Sequence, residues 1–121
     1  MVLVDTSVWV EHLRRGVPEL ARLLDARLVV CHPFVLGELA CGNLKNRREI
    51  LDLLQALCTC PVATHEEVLS FLEANHLMGR GLGYIDIHLL ASAKLSGIPL
   101  WTLDRPLAVA GAHLNVAYGG R

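Results

Sequence analysis

Short apolar runs alternate with longer helix-like segments along the whole chain, and that alternation leaves few folds open. Val2-Leu3-Val4 is followed by a segment whose Val8, Trp9 and Leu13 suit one helical face before Gly16 stops it. Thr6 or Ser7 is placed to cap that helix, and Asp5 is a further cap. Pro18 suits the first turn of a second helix through Leu20, Leu23 and Leu24, after which Leu28-Val29-Val30-Cys31 reads as a strand buried on both faces. Pro33 opens a helix over 34–41, Gly42-Asn43 interrupts it, and an amphipathic helix is expected from about 45 to 57. Cys60-Pro61-Val62 is a weak strand, and Thr64-His65-Glu66-Glu67 forms a capping box ahead of Val68, Leu69, Phe71 and Leu72. Beyond a glycine-rich loop over 79–83, residues 84–96 predict a well-buried helix closed by Gly97. A strand over 99–103 ending at Asp104, a short helix near 107–110 and a last strand over 115–118 complete the pattern. Strands this short, joined by helices, imply right-handed crossovers and a mainly parallel sheet with helices on both faces: an α/β fold.

Composition agrees with a folded chain. Of 121 residues, 53% are hydrophobic and 19% charged, which excludes disorder as the main state and leads us to expect one domain over 1–121 with a core that needs no disulfide or metal staple. The net charge of −1, from 11 Lys and Arg against 12 Asp and Glu, provides no overall field to draw in a polyanion. Even the most apolar region, 85–103, carries Asp86, His88 and Lys94, so no membrane span is expected. The N-terminus has no basic region and places Asp5 where a secretory signal would be apolar; a cytoplasmic location is expected. Cys31, Cys41, Cys58 and Cys60 lack zinc-ribbon spacing, and a Cys58–Cys60 disulfide would be strained, so all four read as reduced small core residues.

Function in such folds sits beyond the carboxyl ends of the strands. Asp5 directly follows the first strand and Asp104 the late one. Glu38 stands in Phe34-Val35-Leu36-Gly37-Glu38-Leu39-Ala40 and Asp86 in Tyr84-Ile85-Asp86-Ile87-His88, surroundings in which an unpaired carboxylate is costly. The other eight acids lie among polar neighbours and read as surface charge. Each of the four has a plain structural reading: Asp5 as a cap, Asp86 as a charge favoured by a helix N-terminus, Asp104 as a turn former, with Glu38 the hardest to explain. If they converge, each pair about 5 Å apart repels by roughly 3 kcal/mol at an effective dielectric of 20. Either some of them protonate or a cation sits between them, and no Lys or Arg adjoins Glu38 or Asp86 in sequence. Oxygen-only ligands favour Mg²⁺ or Mn²⁺ over zinc.

Val4-Asp5-Thr6-Ser7-Val8-Trp9, Glu38 in its apolar helix, Gly83-Tyr84-Ile85-Asp86-Ile87-His88-Leu89-Leu90-Ala91-Ser92-Ala93 and Trp101-Thr102-Leu103-Asp104 together resemble the PIN-domain ribonucleases, and among them the VapC toxins of type II toxin–antitoxin pairs. The likeness runs over essentially the whole chain. It implies a three-layer α/β/α PIN-like domain in which Asp5, Glu38, Asp86 and Asp104 hold one or two Mg²⁺ or Mn²⁺ ions. It further implies that Ser7 and Thr102 orient Asp5 and the attacking water, and that the protein hydrolyses RNA, a tRNA or a ribosomal RNA loop, to 5′-phosphate and 3′-hydroxyl ends. Many relatives carry a second acid after the last of these positions; here Arg105-Pro106 follows Asp104, which weakens the expectation of a second metal. The family implies a homodimer, and a small VapB-like antitoxin whose C-terminal segment enters the catalytic groove.

Setting four of the 12 acids aside leaves 8 against 11 Lys and Arg, a modest positive balance for RNA. Arg14, Arg15, Lys45, Arg47, Arg48 and Arg80 are the candidate phosphate contacts, with Arg80 foremost because its loop directly precedes Asp86; each cluster reads equally as a solvated helix face. His88, two residues from Asp86, falls on another side of the helix and reads as a structural or surface histidine rather than a site residue. The rival readings are a PIN nuclease that is not a toxin, a PIN scaffold that only binds RNA or protein, and a haloacid-dehalogenase-like phosphohydrolase. The last wants D-x-D after its first strand, and Ser7 occupies the second position.

Overall fold

The structure, a computed structural model, describes residues 1–119. In chain order the elements are β1 (Val2–Val4), α1 (Thr6–Arg15), α2 (Pro18–Asp25), β2 (Val29–Cys31), α3 (Pro33–Cys41), α4 (Arg47–Gln55), β3 (Cys58–Thr59), α5 (His65–Ala74), α6 (Tyr84–Ser96), β4 (Leu100–Trp101) and α7 (Arg105–His113). The sheet order is β3-β2-β1-β4 and every named pairing is parallel, with Val2 opposite Val29 and Val4 opposite Trp101. Helices cover the sheet in a three-layer α/β/α arrangement. After β1 the chain lays β2 and β3 to one side and only later returns to place β4 on the other. The carboxyl ends of β1 and β4 therefore flank the point where the winding direction reverses, the crevice that open parallel sheets use for ligands.

β1 is buried throughout, as a strand with neighbours on both edges and helices on both faces must be. Its Leu3 and Val4 join Val8, Leu20, Val35, Val68, Leu89, Leu90 and Leu107 in the core, each contributing about 1.5–3 kcal/mol of transfer free energy on burial. In α6 the run Ile87–Ala93 is buried on every side, so this helix is apolar all round rather than amphipathic. It stops where Gly97 turns left-handed at φ 67°, a conformation that a residue with a Cβ resists. The predicted capping box at Thr64 and Glu67 starts α5. No helix among the described residues is long and apolar enough to cross a membrane.

Several boundaries differ from expectation. The third strand is Cys58–Thr59, two residues earlier than the expected Cys60-Pro61-Val62, because Val30 and Cys31 take Cys58 and Thr59 as partners and proline has no N–H for a ladder. The expected last strand over 115–118 shrinks to a single parallel bridge between Leu100 and Ala117. The last helix is longer than 107–110: the Asp104 side chain caps it and Pro106 sits in its first turn. The fourth helix begins at Arg47, not near Lys45, behind Asn46 at φ 53°. All four cysteines are free, but only Cys31 and Cys60 are core residues; Cys41, ending α3, and Cys58, on the short edge strand β3, are exposed.

Candidate active site

The four acids singled out above come from four places on the fold. Asp5 follows β1, Asp104 follows β4, Asp86 lies in the first turn of α6, and Glu38 sits near the end of α3. Asp5 is 7% exposed and is itself the N-cap of α1. Its Oδ2 accepts from Ser7 Oγ at 2.7 Å, from Thr102 Oγ1 at 2.7 Å and from the Ser7 N–H at 3.4 Å. Those hydroxyls are held in turn, for the Leu103 N–H donates to Ser7 Oγ at 2.9 Å and the Asp104 N–H to Thr102 Oγ1 at 3.0 Å. Ser7 and Thr102 stand 3.2 Å apart, so the first turn of α1 and the end of β4 are tied through one carboxylate oxygen.

The other three acids repeat the pattern. Asp86 Oδ2 accepts from the Gly83 N–H at 2.8 Å, Asp104 Oδ2 from the Leu107 N–H at 3.1 Å, and Glu38 Oε1 from Thr6 Oγ1 at 2.6 Å. Each carboxylate is thus anchored through one oxygen, while its second oxygen takes no hydrogen bond among the described residues. None of the four is in an ion pair there; the pairs present join Arg15 to Glu11 and Arg22 to Glu19. Burial pushes the Asp86 carboxyl above the usual range, the Gly83 N–H draws it back, and the charges of Asp5, Asp104 and Glu38 raise it further. That coupling places Asp86 within electrostatic reach of each of the other three.

The set is gathered but open: among the described residues no three His, Cys, Asp or Glu side chains stand close enough together to hold a metal ion as they are. Each carboxylate is tied to its own donor, and like charges keep their distance. The donor chemistry nevertheless fits a hard divalent cation, with carboxylate oxygens alone and no competing Lys or Arg paired to them. Glu38 corrects one expectation, since it is exposed despite its apolar sequence neighbours, whereas Asp86 is half-buried. A helix near the sheet edge turns one side outward, and at Gly37 and Glu38 α3 does so while Val35 and Leu39 go inward.

Thr6, which anchors Glu38, is a site residue that sequence reasoning did not single out beyond a capping role. The signal was its place in the same turn as Asp5 and Ser7. The basic candidates separate. Arg47 is committed to the fold, donating to Gly42 O at 3.0 Å and to Ala40 O, so it caps the end of α3 rather than facing solvent free-handed. Arg15 pairs with Glu11 at 3.8 Å. Arg48 lies beyond, beside Arg47 and Asp52 along α4. Arg14 and Lys45, in contrast, line the same groove as Glu38. Arg80 is exposed on its loop, where Gly81 passes close to Pro106 of α7. The glycines of that loop make two left-handed turns, at Gly79 and Gly81, and Gly83 caps α6. His88 is buried and packs edge-on against His32, Phe34 and Tyr84, a structural histidine.

Comparison with known proteins follows the same lines. The family profile described as PIN domain matches residues 2–112. Ribonuclease VapC32 of Mycobacterium tuberculosis, from two strains, is 49% identical over 118 residues, covering 97% of this chain and 95% of that protein. Among solved structures, PAE2754 from Pyrobaculum aerophilum superposes with a TM-score of 0.67 at 17% identity over 94% of each chain. FitAcB from Neisseria gonorrhoeae does so with a TM-score of 0.65 at 21% identity, over 97% of this chain and 95% of that one. Both share the fold.

Proposed function

Since the chain belongs to the PIN-domain family, as a VapC-type member of it, we propose that it is an endoribonuclease dependent on Mg²⁺ or Mn²⁺ and the toxin of a toxin–antitoxin pair. The observation that carries this reading is the set of four carboxylates, each pinned through one oxygen with its second oxygen uncommitted and none matched by a cation. Asp5, Glu38, Asp86 and Asp104 would hold the ion, drawn together by its charge. When bound, the ion supplies Lewis-acid activation of the attacking water and offsets charge that builds on the phosphodiester.

The remaining steps belong to the chain's own side chains. Ser7 and Thr102 fix the rotamer of Asp5 by donating to the same oxygen, and Thr6 does this for Glu38. Preset groups need no reorganisation as the reaction proceeds, which is where electrostatic catalysis gains most. Without a cation the four carboxylates repel a phosphodiester, so the phosphodiester to be cut settles among them only when the charge is offset, whereas neighbouring nucleotides bind without it. The substrate in this reading is an RNA loop, of tRNA or ribosomal RNA, cut to leave a 5′-phosphate. The kinship with a ribonuclease of the VapC type supports an antitoxin that covers the site, and a homodimer, with Leu69 of α5 left exposed beside buried Val68.

The test is to incubate wild type and Asp5→Ala with total RNA in Mg²⁺ or EDTA and to map the new 5′ ends. Discrete cuts are expected from wild type in Mg²⁺ alone, with Asp5→Ala slower by at least about a hundredfold, the scale seen when a preorganised electrostatic group is removed. Equal cleavage by both proteins, or cleavage that survives the chelator, would sink the mechanism.

A further inference from the structure

Beside Glu38 the surface opens into a groove of about 570 Å³, within the range of sites that enclose small molecules. Thr6 and Glu38 wall it at the end nearest the carboxylate set, and α1 and the α3–α4 connection form its sides. Its apolar lining includes Leu39, Leu44 and two side chains of α1 that are otherwise hard to explain, Val10 at 40% and Leu13 at 36% exposure. Arg14 on one side and Lys45 on the other are exposed and enter no ion pair or hydrogen bond among the described residues. Asn43, with an amide that both donates and accepts, lines the groove from the same connection as Lys45.

Resting on the nuclease reading and deepening it, we propose that this groove binds one unpaired nucleotide of the RNA next to the phosphodiester to be cut. Such a nucleotide is an apolar-faced base with a polar edge and an anionic phosphate. The groove offers counterparts in kind: aliphatic walls for the faces, the Asn43 amide for the edge, and Arg14 with Lys45 for the phosphate. The charge arrangement selects the occupant and its direction. Glu38 repels a phosphate at the near end, while two unmatched cations attract one at the far end, so the base enters beside Glu38 and the next phosphate lies over Arg14 and Lys45. A base in a duplex cannot insert, because its faces are stacked and its edge is paired; the site therefore requires single-stranded RNA or a loop.

The experiment measures binding, in EDTA so that nothing is cut, of a labelled single-stranded RNA of about 12 nucleotides and of its duplex, by fluorescence anisotropy across a salt series. Wild type is expected to prefer the single strand. Arg14→Ala/Lys45→Ala weakens it at least about tenfold and flattens the slope of log affinity against log salt by about 0.7, the share of one neutralised phosphate on a single strand. Val10→Ser/Leu44→Ser weakens it by about tenfold with the slope unchanged, because it removes contact with the base and no charge. Circular dichroism checks that both variants are folded. Wild-type affinity in both variants, no single-strand binding by wild type, or equal affinity for the duplex overturns the inference. So does retention of RNA binding by variants that release a co-expressed small partner protein, which would assign the groove to that protein. The two readings also fail separately. Cleavage of total RNA at unchanged 5′ ends and rate by the groove variants removes the subsite and leaves the nuclease. Groove-dependent binding by a protein that cuts nothing removes the nuclease and leaves the subsite.

Discussion

Asp5 ends β1, caps α1 and binds Ser7 and Thr102 through one oxygen, so the bland and the chemical roles of this residue coincide. Asp104 and Asp86 likewise cap or start helices while contributing to the site. His32 has the opposite character. It is fully buried; Nδ1 accepts from the Phe34 N–H at 3.0 Å, Nε2 has no partner among the described residues, and its ring meets Phe34 and His88 edge-on. Burial, and then His88, push its pKa from 6.5 down to about 4. A folded value below the unfolded one means stability that is fully present above 6.5 and lost as the pH falls through 4, worth about 3 kcal/mol over that window. His32→Asn keeps an N-cap acceptor but cannot be protonated. Urea unfolding at pH 7, 5.5 and 4 should show a shallower acid loss for the variant, whatever its starting stability; parallel pH curves would place the acid sensitivity elsewhere.

Among elements, the α3–α4 junction separates Arg47, which is committed to the helix end, from Lys45, which enters no ion pair or hydrogen bond among the described residues. Arg47 donates to carbonyls at the end of α3, so Arg47→Ala is expected to cost about 1 kcal/mol in urea unfolding while leaving the salt slope for single-stranded RNA as it was. A flattened slope would return Arg47 to the phosphate contacts. The same junction shows how far periodicity reads. The alternation of short apolar runs with capped helices placed β1, β2, α5 and α6, because these elements satisfy local rules of burial and capping within their own residues. It misjudged the start of α4, the register of β3 and the last strand. Strand pairing depends on which residues of a distant segment stand opposite, and that information is absent from the segment itself.

At the scale of the whole molecule, the proposed reading makes a divalent cation a stabilising ligand as well as a catalyst, because it would offset four carboxylates in a chain of net charge −1. Mg²⁺ at about a hundred times its Kd should add about 2.7 kcal/mol of stability, a rise of roughly 10 °C in Tm for a domain of this size. Asp86→Asn keeps an acceptor for the Gly83 N–H and removes a carboxylate whose ionised form is disfavoured by burial and by its neighbours. Scanning calorimetry should find it more stable than wild type in EDTA, nearly indifferent to Mg²⁺, and inactive. A lower Tm in EDTA with an undiminished Mg²⁺ response would contradict a crowded anionic site. The sequence by itself determined the fold class, the capping box of α5 and the glycine stop of α6, since apolar periodicity and capping patterns are local facts. Only the tertiary structure decided that Glu38 faces solvent, that Thr6 rather than a backbone group anchors it, that Arg47 is spent on a helix end, and that Arg14 and Lys45 share a groove with the site. Arg47 reaches back only five to seven residues, but the Thr6–Glu38 anchor joins positions 32 apart, through the burial of α1 against α3 and the reversal of winding at β1, which no local pattern encodes.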